Sequence, residues 1–420
     1  MKYKKIELDN YNIHLMKTDK FKSTFISLVL INEYNKDYLL KNFVLRRLLT
    51  TSSKNLKDET EVTKKVCELY NSGITISNSI LNKTISTRFD MEVLDDKYTE
   101  NGLFYNALDY FFDSIFNPNI INGKFEKNNY DLVIKSINEY FDKEKENKIR
   151  YAYDKAYSLM DEDFLKYPLN GFKEDLKNIN EKVMADYYKE FIKGANANLF
   201  VIGDINEKEL ISYLKNNKNI KFYNNENKYI DCTFDENTSL KKDETKENNN
   251  QSILILIYKI MNLTKRERNE VIPIFNRIFG GSSNSRLFKS VREKNSLCYG
   301  IRSSYSRTSS TMSIESGISY KNKDKVIELI NKELKNIQDG NITDEEFNEA
   351  INFRKKNLKQ FDDYIDSLSF IKQSSILFNN DDLDERRKQV DTITKEEIKN
   401  LANKIKLNVE YILKGDKDNE

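Results

Sequence analysis

The chain is poor in histidine: its 420 residues contain one, His14. Catalytic zinc is normally held by two or three imidazoles, or by a mix of His, Cys and carboxylate. A zinc site of that make-up is not expected here. A base-assisted serine or cysteine nucleophile would have to draw on the same His14. That residue lies in an alternating segment, Tyr11 to Leu15, and is expected on the surface of a strand. The three cysteines, Cys67, Cys232 and Cys298, are odd in number and far apart, so they form neither a disulfide framework nor a metal cluster. A reduced, cytoplasmic protein is the simplest reading. Glycine and proline number only 12 and 3, which leaves little room for turn-rich or disordered composition. Apolar runs such as Ile253 to Tyr258 are far too short to span a bilayer, and the basic N-terminal stretch lacks the apolar core of a signal peptide. Charge of one sign is lacking too: 69 basic against 67 acidic side chains leave +2, which argues against a general polyanion binder. Neither nucleic acid nor membrane is expected as a partner.

Apolar residues make up 38% and charged residues 32%, and the length suffices for two sizeable cores. Residues 4–17 alternate as a strand pair, and Phe21 to Ile31 reads as a buried strand. Asp37 to Thr50 has helical apolar spacing, followed by a helix over Glu59 to Tyr70. Ile74 to Ile80 and Thr84 to Val93 alternate as a hairpin. Gly102 to Phe116 and most of Phe125 to Met160 read as helix, as does Glu181 to Lys193 before a strand at Asn198 to Gly203. Residues 219–250 are dominated by Asn, Lys and Glu and read as a linker, with a short strand at Tyr229 to Phe234. The order then restarts: strand QSILILIYKI, helix Arg266 to Phe279, strands Gly300 to Tyr305 and Thr311 to Ser319, helices Asp324 to Ile337 and Thr343 to Gln360. Thr343 and Glu346 supply a capping box.

The halves also end alike. Ile179-Asn180-Glu181-Lys182 leads through a helix to Leu199 through Gly203-Asp204; Ile393-Thr394-Lys395-Glu396 leads through a helix to Tyr411 through Gly415-Asp416. This predicts a duplicated α+β chain, each half a mixed, antiparallel-rich sheet covered by helices. The domains expected are 1–218, a linker over 219–250, and 251–420.

One stretch carries chemistry: FGGSSNSRLFKSVREKNSLCYGI, Phe279 to Ile301. It runs from a glycine- and serine-rich loop (Gly280, Gly281, Ser282, Ser283) through a charged helical segment to an apolar strand entry, with Arg292 and Tyr299 seven residues apart. The loop lacks the Lys and spacing of a P-loop and is expected to face substrate. The order of loop, S-R-L-F, V-R-E-K and L-x-Y-G resembles the C-terminal-half signature of the inverted-zincin peptidases, the family of pitrilysin, insulin-degrading enzyme and mitochondrial processing peptidase. That resemblance implies paired α/β halves. It also implies that Arg292 and Tyr299 reach towards a zinc-bearing half, where a Tyr hydroxyl and an Arg guanidinium stabilise the oxyanion of peptide hydrolysis.

The resemblance also implies H-x-x-E-H on the helix after the early buried strand, which holds zinc on one helix face beside the general base. Here the matching helix reads Leu40 to Leu49, with Asn42 and Arg46 in the histidine places and Leu45 in that of the glutamate. Asn is a poor zinc ligand, Leu is no base, and Arg is a fixed cation. On its own pattern the segment reads as an amphipathic helix with Phe43 and Val44 inward and Arg46 and Arg47 solvated. The third ligand place falls on Ile137 or Glu139. The chain therefore looks like a non-catalytic subunit of a two-subunit zinc peptidase. It would contribute Arg292 and Tyr299 in trans, with no cofactor of its own, zinc in a homologous partner subunit, and a peptide as substrate. A peptide-binding or scaffold protein of the same fold is the other reading.

Overall fold

The computed structural model describes residues 2–8, 10–223, 225–226, 228–234 and 239–415. Two compact units divide the chain, and neither follows the expected boundaries. The first comprises residues 1–143, 168–230 and 364–373; the second comprises 144–167, 231–363 and 374–420. Each takes one segment from the sequence half of the other, because apolar faces far apart in sequence bury each other.

The first unit is built on a six-stranded sheet. Its strands are β1 (Lys2–Leu8), β2 (Tyr11–Lys17), β3 (Ser23–Glu33), β4 (Thr75–Leu81), β5 (Thr84–Leu94) and β6 (Asn196–Gly203). Their order across the sheet is β1-β2-β6-β3-β5-β4, with β6 parallel to β2 and antiparallel to β3. β3 and β6 are central and near-continuously apolar, as strands covered on both faces must be. One face presents Ile13, Leu15, Ile26, Leu28, Phe89, Met91, Leu199 and Val201 to the helices α1 (Leu39–Thr51), α2 (Leu103–Phe116), α3 (Lys127–Glu146) and α5 (Glu181–Lys193). On the opposite face Met16, Phe25 and Ile202 pack with Ile365, from the first unit's late segment. Burying one such isoleucine stabilises by ~2 kcal/mol.

That opposite face also holds His14, which is 1% exposed rather than at the surface. Its ring stacks on Phe200 at 4.3 Å, Nδ1 meets the Tyr3 hydroxyl at 3.0 Å, and Nε2 meets Asn198 Oδ1 at 3.1 Å. Since the Asn198 oxygen only accepts, Nε2 carries the proton and Nδ1 accepts from Tyr3. Burial first, and the charges of Lys5 and Lys372 as well, pull the imidazole down to about 4 against the Asn198 hydrogen bond.

The second unit repeats the plan with five strands: β7 (Lys241–Glu247), β8 (Ser252–Ile260), β9 (Cys298–Ser306), β10 (Thr311–Ile318) and β11 (Ile405–Gly415), ordered β9-β10-β8-β11-β7. β11 is antiparallel to β8 and parallel to β7, as β6 is to β3 and β2. The counterparts are thus β2 and β7, β3 and β8, β4 and β9, β5 and β10, β6 and β11. One face packs on α6 (Ile272–Phe279), α7 (Lys323–Gln338) and α10 (Lys395–Asn403). The other buries Ile253, Ile255, Ile257, Val409 and Tyr411 under Ala152 and Ala156 of α4 (Lys148–Ser158), the segment taken from the first sequence half.

β7 corrects the expected linker: part of 219–250 is an edge strand. Six of its seven residues are charged, which hides the strand period. The strand expected at Tyr229 to Phe234 is irregular chain instead. Gly203 closes β6 as expected, whereas Asp416, the matching stop of the second half, lies outside the described residues. The helix expected from Arg266 opens with a π turn, Glu267–Val271, whose Glu270 is fully buried. Glu270 accepts two hydrogen bonds from Arg354, at 2.7 and 2.9 Å, and one from Arg386 at 2.6 Å. Arg354 lies on α8 (Asp344–Gln360), which Thr343 and Glu346 cap reciprocally as expected.

Candidate functional site

Two groups of residues matter, one in each unit. The first lies on α1, packed beneath the sheet of the first unit. Asn42 is buried, and its Oδ1 accepts a 2.6 Å hydrogen bond from the Tyr187 hydroxyl on α5. The lone pairs a metal would need are thereby turned to a neighbouring helix. Leu45 is 2% exposed and belongs to the core. Arg46 corrects the expectation of a solvated side chain: it is half-buried, its guanidinium 5.1 Å from the Phe43 ring, while Arg47 is exposed. Its Nη2 donates to Asn170 Oδ1 at 3.0 Å, and Asn170 donates in turn to the Tyr140 hydroxyl at 2.9 Å.

Gly171 makes this contact possible. Its φ is +69°, and a Cβ there would stand 2.6 Å from Cβ of Leu40, so only glycine brings the loop this close to α1. Asn42, Leu45, Arg46, Leu49, Ile76, Thr87, Phe89 and Phe191 line a crevice too narrow to hold a water molecule. Of the two expected third-ligand places on α3, Ile137 is buried in the core and Glu139 points to solvent. A spent amide oxygen, two aliphatic side chains and a cation do not suit zinc. Among the described residues no group of three or more His, Cys, Asp or Glu could hold a metal ion.

The second group lies in the second unit. α6 ends at Gly280, whose carbonyl accepts from Ser303 N at 2.9 Å. A Cβ at Gly280 would meet Ser303 Oγ at 2.6 Å and Leu287 Cδ1 at 2.8 Å. Gly281, Ser282 and Ser283 continue the loop; Gly281 and Ser283 are exposed and Ser282 is half-buried. Ser282 accepts at its carbonyl from Ser285 Oγ, at 2.6 Å. The S-R-L-F residues are structural. Arg286 makes a two-pronged pair with Glu346, at 2.9 and 2.8 Å, and Leu287 is fully buried. These contacts tie the loop to α8.

The charged segment is a π turn, Phe288–Lys294, a rare form often found at functional sites. Arg292 is exposed on it, its guanidinium 4.6 Å from the Phe288 ring. The chain reverses through Ser296 (φ +52°), with Ser296 N donating to Arg292 O at 3.0 Å and Leu297 N to Val291 O at 3.1 Å. It then enters edge strand β9 through a bulge between Cys298 and Gly300. Tyr299 is the extra residue and is 84% exposed. A bulge re-aims a side chain off the regular sheet surface. Cys298 is half-buried; burial raises its thiol, against a Ser316 hydrogen bond and the Arg292 charge. Arg292 and Tyr299 thus stand on either side of one hydrogen-bonded reversal of the chain, both exposed to solvent.

Sequence reasoning missed Asn170, Tyr140 and Tyr187, which hold the altered α1 residues. Nothing local marks them: Tyr187 lies 145 positions from Asn42, Asn170 lies 124 from Arg46, and Tyr140 acts only through Asn170, 30 positions on.

Comparison with known proteins agrees with this geometry. Residues 178–353 match the family described as the peptidase M16 inactive domain. A probable inactive metalloprotease of Bacillus subtilis (strain 168), YmfF, is 22% identical over 411 residues, covering 96% of this chain and 95% of that protein. A conserved protein from Enterococcus faecalis V583 has the same fold, with a TM-score of 0.91 at 24% identity and full coverage of both chains. A protease from Helicobacter pylori gives 0.79 at 15% identity over 98% of this chain and 99% of that one. A peptidase M16 inactive domain from Pseudomonas fluorescens gives 0.78 at 13% over 99% and 98%. Residues 178–353 thus match the inactive domain of the M16 peptidases, and nearly the whole chain is similar to a probable inactive metalloprotease.

Proposed function

We propose that this chain is the non-catalytic subunit of a two-subunit zinc peptidase. It would lend Arg292 and Tyr299 to a homologous partner that holds the zinc and the general base. The observation that carries this reading is the exposure of both heads on one hydrogen-bonded reversal of the chain. A tyrosine 84% open to solvent contributes little to its own fold, yet a bulge, a π turn and a left-handed serine fix its place. Such placement suits groups that hold a peptide backbone and its developing oxyanion. The Gly280 to Ser283 loop borders them, and half of a peptide-enclosing chamber would come from this chain. The unpaired Cys67, Cys232 and Cys298 suit a reducing compartment, and we place the protein in the cytoplasm. Among the described residues no helix is long and apolar enough to cross a membrane.

The test is co-expression with a zinc-bearing homologue from the same genome, followed by hydrolysis of a quenched fluorescent peptide. Arg292→Ala and Tyr299→Phe in this chain should each lower the rate by about a hundredfold, the scale of losing one oxyanion donor. Unchanged rates in an intact pair would refute the role in trans.

A second reading, peptide binding without hydrolysis, draws on another observation. Edge strand β4 reads TISNSIL and contains no charge and no proline, whereas the edge strands β1 and β7 are dense with charge. An unguarded edge suits β-augmentation by an extended peptide. Both readings share this docking edge.

A further inference from the structure

We infer that Arg46 receives the C-terminal carboxylate of a peptide docked along β4. The inference rests on the reading that β4 pairs with extended peptide, and it assigns that peptide a direction and a chemical end.

Arg46 is a half-buried guanidinium with no carboxylate partner among the described residues. Its guanidinium donates to a neutral amide, Asn170. Nε is buried and unpaired. Holding an uncompensated cation at such a place costs stability, and Arg47 next to it adds repulsion. Burial and that neighbouring charge both disfavour the protonated Arg46. Forms of Arg46 and its surroundings that would relieve this strain, such as a salt-bridged carboxylate, are not present among the described residues. An anion from outside the chain would supply the missing partner.

The position of Arg46 says which anion. It lines the same crevice as Ile76, the second residue of β4. β5 is antiparallel to both of its neighbours, β3 and β4, and the outer edge of β4 pairs with no other described strand. A peptide continuing the antiparallel pattern ends its C-terminus beside the start of β4, at Thr75 and Ile76. Its terminal carboxylate then lies at the mouth of the Arg46 crevice. A parallel peptide would bring its terminal ammonium there, against two arginines. The guanidinium therefore sets both the direction and the preference for a free chain end. The place where the family resemblance puts a zinc histidine becomes an anion site.

The experiment uses the full chain and the heptapeptide Thr-Val-Thr-Val-Thr-Val-Ala with an N-terminal fluorescein, read by fluorescence anisotropy. It is made as the free acid, as the C-terminal amide, and as an amide with glutamate at its centre. The free acid should bind about tenfold tighter than the plain amide, the scale of one charged hydrogen bond. Arg46→Gln, its fold checked by thermal melting, should lower the free acid to the level of the amide and leave the amide unchanged. Equal binding of acid and amide by the natural chain overturns the Arg46 assignment while leaving strand docking intact. The central-glutamate amide binding as tightly as the free acid overturns the assignment to a chain end. Binding of none of the three overturns the docking reading, and the Arg46 assignment with it.

Discussion

Lowering the pH should destabilise the first unit in part through a single imidazole. His14 is 1% exposed, and its pKa falls from 6.5 unfolded to about 4 folded. A depressed folded pKa means that the native state prefers the neutral ring. Its contribution is complete above pH 6.5, declines as pH falls below that, and is gone once pH passes below about 4. At pH 4.5 the linkage relation gives a loss of about 2.5 kcal/mol relative to pH 7.5, from one group. Other groups titrate over the same range, so the measurement is a difference. Urea unfolding of the natural chain and of His14→Gln would be followed at pH 7.5, 6.0 and 4.5. Glutamine cannot charge, so the variant should lose less stability on acidification than the natural chain, by about that 2.5 kcal/mol. If the two chains lose stability in parallel, His14 is not held neutral by its burial, and the assignment of Nε2–H to Asn198 falls with it.

Removing the carboxylate of Glu270 strands Arg354 and Arg386 as buried, unpaired cations. Glu270→Gln should cost the second unit ~3–5 kcal/mol in denaturant unfolding. Gly280→Ala should cost ~1–3 kcal/mol, because the new Cβ meets Ser303 and Leu287 inside contact distance, and calorimetry would read this as a lowered Tm. Tyr299→Phe should leave stability within ~0.5 kcal/mol of the natural chain. A large loss by thermal melting would show that the hydroxyl serves the fold, contrary to its exposure.

The sequence displayed those elements whose burial repeats at a fixed period. The hairpin of β4 and β5 alternates, β8 is an unbroken apolar run, and the capping box at Thr343 is local chemistry. β7 was hidden because a strand at the open edge of a sheet needs no apolar face. Its counterpart β2 is legible because Ile13 and Leu15 face the helices and Met16 packs on the opposite face. His14 reads as a surface residue for a related reason: the Tyr3 hydroxyl, the Phe200 ring and Asn198 that pack on it lie outside its own strand. The site divides in the same way. The unsuitability of Asn42, Leu45 and Arg46 for zinc follows from their side chains alone. That Arg46 is half-buried does not, because Asn170, 124 positions away, draws its head inward. The bulge that turns Tyr299 outward arises from pairing with β10, a property of two strands and not of one.

The segments taken by each unit from the opposite sequence half set the timetable of folding. During synthesis the first unit's sheet is complete in sequence once Gly203 has emerged, but the isoleucine that covers Met16, Phe25 and Ile202 is residue 365. Until then one face of that sheet must stay wet or be shielded by another protein. The nascent chain therefore finishes its first unit only after most of its second has been made. Cutting the gene between the halves would give two products, each lacking a cover and each carrying the other's.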